Sequence, residues 1–208
     1  MESFKSTAYT YLKDLILTCK LKPNDVIDQT VIMKELGVSR TPVREAIAAL
    51  EQEHLVTIFP RRGVVVTGIS ANEISNISVV RGLLEPYFTR LAASTADHDK
   101  LEEFLVRFGD NSDLITATKA DFEFHMYLAS LSNNNFLIQT MDQVLSSNMR
   151  LVILAAGLPN RLPISNSEHR DIVQALLDRD ADKAEAMMRL HLNSATESSI
   201  ESTRTFLL

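Results

Sequence analysis

The sequence predicts a mainly α-helical chain in two parts: a small unit of three helices closed by a β-hairpin, then an all-α antiparallel bundle of six helices. Three observations predict it. An amphipathic helix near residues 40–50 follows a shorter helix across Gly37 and leads into two β-rich runs. Beyond Gly68-Ile69-Ser70 only helical periodicity is found. The charge divides at the same place. Residues 1–68 hold nine Lys/Arg against eight Asp/Glu, and the remainder twelve against nineteen, which recovers the net charge of −6. The expected domains are therefore 1–68 and 69–208.

Residues 5–19 place Ala8, Leu12, Leu15 and Ile16 on one helical face. Lys22-Pro23-Asn24-Asp25 reads as a turn. A short helix from about Thr30 to Leu36 turns Ile32, Met33 and Leu36 inward, and Gly37 ends it as a C-cap glycine does. Ser39 then stands at the N-cap of the next helix. Pro42 is tolerated there because first-turn amides lack an intrahelical partner. Val43, Ile47 and Leu50 recur at i, i+4 and i+7, which leaves Arg40, Thr41 and Arg44 pointing away from the apolar stripe. The runs 55–59 and 64–67 are strands, joined by the basic tip Pro60-Arg61-Arg62-Gly63.

An amphipathic helix with guanidinium groups at its N-terminal end suits the DNA major groove. Arginine grips guanine edges bidentately, and a helix N-terminus favours phosphate. The string Gly37-Val38-Ser39-Arg40-Thr41-Pro42-Val43-Arg44-Glu45-Ala46-Ile47 resembles the recognition helix of the GntR family of winged helix-turn-helix transcription regulators. The resemblance implies that Ser39, Arg40, Thr41 and Arg44 contact DNA, with Arg61, Arg62 and Gly63 on the wing. Taken alone, Arg61 and Arg62 read as a solvated loop. Cys19, Asn24 and His54 stand where the family usually has glycine. If those positions need left-handed backbone, each substitution costs on the order of 1 kcal/mol.

Composition sets the frame. Hydrophobic residues make up 45% of 208, ample for packed cores. No run approaches the roughly 18 apolar residues of a membrane span. Met1-Glu2-Ser3-Phe4-Lys5 lacks the basic start and apolar core of a signal peptide. A single cysteine excludes an internal disulfide and fits a reducing, cytoplasmic setting. The acidic balance belongs to the second part, while phosphate binding depends on the local charge of the reading helix and wing.

Helices are expected over 71–95, 98–109, 112–131, 134–156, 164–179 and 181–201, with breaks at Gly109-Asp110-Asn111, Asn133-Asn134-Asn135 and Gly157-Leu158-Pro159. Asp121 and His125 are i, i+4 neighbours on a face shared with Leu114, Thr118 and Leu128. His169 shares its face with Ile172, Val173 and Leu176, and His191 with Ala184, Met187, Met188 and Ala195. A lone inward histidine is usually a hydrogen-bonded core residue. Three of them with a carboxylate suit Zn²⁺, Ni²⁺, Mn²⁺ or Fe²⁺, and a buried carboxylate is costly unless paired or bound to metal.

Asp121-x-x-x-His125 with His169 and His191 resembles the metal set of the FCD effector-binding domain, which follows the GntR-type reader in the FadR subfamily. Six helices resemble its VanR-like branch. The resemblance implies a divalent transition metal and a small organic acid as effector. Arg81, among Ile74, Ile77, Leu84 and Phe88, either pairs with Glu85 at i+4 or holds the acid's carboxylate. Asn148, among Met141, Val144, Leu145, Leu151 and Val152, is the second candidate effector contact. Arg150 falls off that stripe and is expected to be structural or exposed.

The combined reading is a ligand-responsive DNA-binding homodimer, a repressor, placing two reading helices about one DNA turn apart on operator DNA. Two rivals stand beside it. One is a metal-dependent hydrolase-like enzyme, and the other a constitutive DNA-binding dimer whose bundle senses nothing.

Overall fold

In a computed structural model of the chain, residues 4–109, 113–154 and 161–206 are described. These residues form nine helices and three short strands, and the chain divides into compact units at residues 69/70. The chain is mainly helical, with its sheet confined to the first unit.

In the first unit α1 (Phe4–Leu17), α2 (Gln29–Leu36) and α3 (Arg40–Gln52) precede the hairpin of β2 (Val56–Phe59) and β3 (Gly63–Val66). Asp28 caps α2 by accepting from the Thr30 and Val31 amides, and Gly37 ends it at φ +63°. Val43, Ala46, Ile47 and Leu50 of α3 pack with Ala8, Leu12 and Ile16 of α1, all buried. The hairpin register pairs Phe59 with Gly63, which leaves residues 60–62 as the turn. A two-residue strand β1 (Val26–Ile27) was not foreseen; it pairs with β3 in the order β1-β3-β2. Two residues carry too little alternation to register as a strand in the sequence alone.

The three positions where the family has glycine are all left-handed: Cys19 at φ +53°, Asn24 at +72° and His54 at +60°. These turns are left-handed without glycine. Local hydrogen bonds hold them, such as the Leu21 amide to the Leu15 carbonyl at 2.9 Å and the Leu55 amide to the Leu50 carbonyl at 3.0 Å.

The second unit contains α4 (Ala71–Thr95), α5 (His98–Arg107), α6 (Leu114–Ser130), α7 (Asn135–Leu154), α8 (Arg161–Leu177) and α9 (Ala181–Phe206). Helix α8 begins at Arg161 rather than 164, because Pro163 sits in its first turn where its missing N–H has no cost. Helix α9 runs on to Phe206, past the expected end at 201. Asn134 opens α7 by accepting from the Phe136 and Leu137 amides at 3.0 and 3.3 Å. The expected break at Gly157-Leu158-Pro159, and residues 110–111 of the break after Gly109, lie outside the described residues.

One apolar core joins the bundle: Phe88, Phe104, Phe108, Phe124, Leu128, Met141, Ile172, Leu176 and Met188 belong to it. Helix α4 packs chiefly on α9, and α8 on α9. Arg179, itself left-handed, donates to the Ala93 and Ala96 carbonyls at 3.1 Å and so satisfies the C-terminal end of α4. Arg150 is 1% exposed, which corrects one of the two expectations for it: it is inside the bundle.

Backbone conformation makes a prediction of opposite signs. A Cβ at Gly37 meets nothing within 4 Å, so Gly37→Ala isolates the left-handed penalty. It is expected to cost about 1–2 kcal/mol. His54→Gly is expected to stabilise by about 0.5–1 kcal/mol, net of the added unfolded-chain entropy. Amide hydrogen exchange within α3 reads both.

Candidate metal centre and nucleic-acid interface

The exposed polar surface of α3 is set by its buried stripe. With Val43, Ala46, Ile47 and Leu50 inward, Arg40, Thr41 and Arg44 are exposed. Ser39 occupies the N-cap position, but its hydroxyl makes no capping hydrogen bond. Ser39 is exposed beside that first turn. Arg61, Arg62 and Gly63 are exposed on the hairpin turn, with Arg61 at φ +67° and Gly63 at +96°. Left-handed residues at both places turn the chain within three residues.

In the bundle, α6, α8 and α9 deliver Asp121, His125, His169 and His191 to one point, with all four donor atoms within 4.8 Å of one another. The histidines are each 1% exposed. Asp121 Oδ1 lies 3.2 Å from His169 Nε2 and 3.8 Å from His125 Nε2. His125 Nε2 and His169 Nε2 are 3.1 Å apart. The His169 and His191 rings lie 4.3 Å apart centre to centre, and His169 also stacks on Phe108 at 4.5 Å.

Two carboxylates back these rings. Glu168 Oε2 is 2.8 Å from His191 Nδ1. Arg161 grips Glu168 with two nitrogens at 3.1 and 2.9 Å and reaches Ser194 Oγ at 3.0 Å. Glu85 Oε2 is 2.5 Å from His125 Nδ1, close enough for a charge-assisted contact. Arg81 Nε holds the other Glu85 oxygen at 2.6 Å, and its terminal nitrogen comes within 3.4 Å of His125 Nε2. Among the described residues, His191 Nε2 and His169 Nδ1 are buried without a hydrogen-bond partner.

Burial opposes charge on Glu85, Asp121, Glu168, His169 and His191, and the neighbours decide the outcome. Burial raises the Glu85 carboxyl, but Arg81 and His125 outweigh it and hold it at about 2. Glu168 is brought to about 2 in the same way, by His191 and Arg161 against burial. Asp121, despite burial, is held well below the carboxylate range by His125, His169 and Arg81. Burial pushes His169 down, with Asp121 opposing. Burial and the adjacent His169 push His191 down to about 3. The result is ionised carboxylates around His169 and His191, whose charged forms are disfavoured. The donor chemistry, three imidazoles and one carboxylate, fits a borderline divalent cation. A buried imidazole nitrogen with no partner is the feature such a cation would satisfy.

Arg81 and Asn148 line one small cavity with Ile77, Ser78, Leu192, Ala195, Thr196 and Ser199. It has room for about one water molecule. The Ser78, Thr196 and Ser199 hydroxyls donate back to carbonyls four residues earlier, at 2.8–3.0 Å. Met141 and Leu145 are buried beside Asn148 on α7, whereas Val152 is 36% exposed and does not belong to that inward face.

Sequence reasoning did not single out Glu168, Arg161, Ser194, Thr196 or Ser199. Glu168 adjoins His169 in sequence yet serves His191 on another helix, so no spacing rule exposes it. Glu85 entered only as Arg81's helical partner. That pair is made, and it extends on to His125.

A helix-turn-helix reader with a β-hairpin, joined to a helical bundle with a buried His₃Asp cluster, defines a class of bacterial regulator. Residues 4–66 match the family described as bacterial regulatory proteins, gntR family, and residues 76–194 match the FCD domain. The chain belongs to the gntR family and carries an FCD domain; it is a transcription regulator and not an enzyme. It is 28% identical over 188 residues to the Nta operon transcriptional regulator of Aminobacter aminovorans, covering 88% of each chain. It is 28% identical over 196 residues to the HTH-type transcriptional repressor RspR of Escherichia coli K12, covering 91% of this chain and 86% of that one. Its fold is similar to that of a GntR transcriptional regulator from Rhodococcus sp. RHA1, with a TM-score of 0.83, 23% identity and coverage of 95% and 97%. Among the described residues no helix is long and apolar enough to cross a membrane.

Proposed function

We propose that this regulator is a homodimeric repressor whose DNA binding responds to a small carboxylate, received beside a divalent metal held by Asp121, His125, His169 and His191. The observation that carries this reading is the convergence of those four donors, with a buried and unpartnered His191 Nε2 among them. The metal would act as a Lewis acid toward an incoming oxygen ligand. An ion held by these four residues would supply that Lewis acidity to a small carboxylate. The acid lies against Arg81, whose guanidinium offsets its charge, and Asn148 donates a hydrogen bond. Both residues line one small cavity, which would have to widen beyond its single-water size to admit the acid.

Ser39, Arg40, Thr41 and Arg44 read the major groove, and Arg61, Arg62 and Gly63 hold the adjacent backbone. A second copy supplies the other half-site. Val79, Leu83 and Tyr87 recur at i, i+4 and i+8 on α4 and are 58%, 72% and 54% exposed. That apolar stripe is where the two copies pair.

Operator binding tests the reader. Arg44→Ala is expected to lose about 1–3 kcal/mol and relax base preference at one half-site position. Arg62→Ala should weaken all sequences alike and lower the salt slope by about 1. Leu83→Glu should give a monomer in sedimentation and weak operator binding. Wild-type behaviour in all three contradicts the assignment.

Elemental analysis tests the metal. Protein purified without chelator is expected to hold about one divalent ion per chain. His169→Ala should lower occupancy and melting temperature together, because a metal bound to the native state stabilises it. A wild-type chain that cannot be loaded with Zn²⁺, Ni²⁺ or Mn²⁺ contradicts the site.

Fluorescence anisotropy of labelled operator tests the switch. An effective acid should release wild-type protein with a coupling of about 1–3 kcal/mol. Arg81→Ala should bind operator and metal nearly as wild type yet ignore the acid. Normal release by that variant leaves Arg81 as Glu85's partner only.

A further inference from the structure

A neutral imidazole has one N–H and one lone pair, so whatever accepts the N–H decides where the lone pair points. His191 Nδ1 lies 2.8 Å from Glu168 Oε2, and His191 Nε2 is buried without a partner on the side of the cluster. Glu168 is itself fixed. Arg161 holds both of its oxygens, one of them at 2.9 Å, and Ser194 on α9 joins Arg161 at 3.0 Å. Carboxylate, guanidinium and hydroxyl thus form one clamp between α8 and α9. His169 has no such support at Nδ1, which is buried without a hydrogen bond. Glu168 thus stands behind His191 as Glu85, 2.5 Å from Nδ1, stands behind His125.

We propose that Glu168, held by Arg161 and Ser194, is a positioning residue of the metal centre: it fixes the Nδ1–H tautomer of His191 and so aims the Nε2 lone pair at the ion. The inference rests on the metal reading above but is carried by a different atom, since Glu168 lies outside the donor set. Its negative charge also strengthens His191 as a donor. Glu168 is half-buried, its side chain 23% exposed, so its replacement leaves the apolar core untouched.

Two measurements on the full chain test it. Long-range ¹H–¹⁵N NMR of the chelator-treated protein reads the His191 tautomer directly. Wild type is expected to show Nδ1–H, Glu168→Gln to keep it because an amide oxygen still accepts, and Glu168→Ala to lose it. Competition of Zn²⁺ against a chromophoric chelator reads affinity. Glu168→Ala is expected to bind about 10–100-fold more weakly than wild type, with Glu168→Gln between them. The chelator-treated variants should melt as chelator-treated wild type does, which separates positioning from general loss of structure. An Nε2–H tautomer in wild type, or equal Zn²⁺ affinity in Glu168→Ala, overturns the proposal. Wild type that binds no Zn²⁺ while showing the Nδ1–H tautomer overturns the metal reading and leaves the orienting role of Glu168 intact.

Discussion

The constraint on which the proposed metal site rests is the burial of three imidazoles and a carboxylate at one point, with His125 Nε2 and His169 Nε2 3.1 Å apart. Unpaired polar atoms in such a place cost about 1–3 kcal/mol each. The cluster is nonetheless packed inside the aromatic core, with His169 against Phe108 and Phe124. The arrangement makes sense as a cation site and poorly as a structural hydrogen-bond network. A network would close on itself, and this one leaves His191 Nε2 open.

The charges around the cluster follow from the same constraint. Asp121, Glu85 and Glu168 are all kept ionised against burial, and each has a cation or a ring nearby that accounts for it. Arg81 and Arg161 offset part of that charge from outside the donor set. Arg81 has a second use, since it faces both His125 Nε2 and the cavity that Asn148 lines. A lone pair given to a metal cannot also accept from Arg81. A bound metal would therefore free that guanidinium edge of Arg81 from His125.

Much of this was legible because helical periodicity is strong evidence. The six bundle helices, the reading helix and the hairpin lie close to where apolar spacing and turn residues put them. Resemblance to glycine-bearing relatives marked Cys19, Asn24 and His54, and all three are left-handed. What escaped had no local signature. Strand β1 is two residues long and exists only through pairing with β3. Glu168 acts across helices, and its neighbour in sequence misdirects the reader toward His169. Arg150 lies off the apolar stripe of α7, which left it either structural or exposed, and the bundle encloses that side too. Val152 fails in the opposite sense: it is apolar and faces outward.

X-ray absorption at the edge of the loaded metal tests the central claim most directly, since it reports the ligands rather than the affinity. The account predicts a shell of nitrogen and oxygen with the multiple-scattering signature of three imidazoles, reduced to two in His169→Ala. A shell without imidazoles, or one that keeps three of them in His169→Ala, would contradict it.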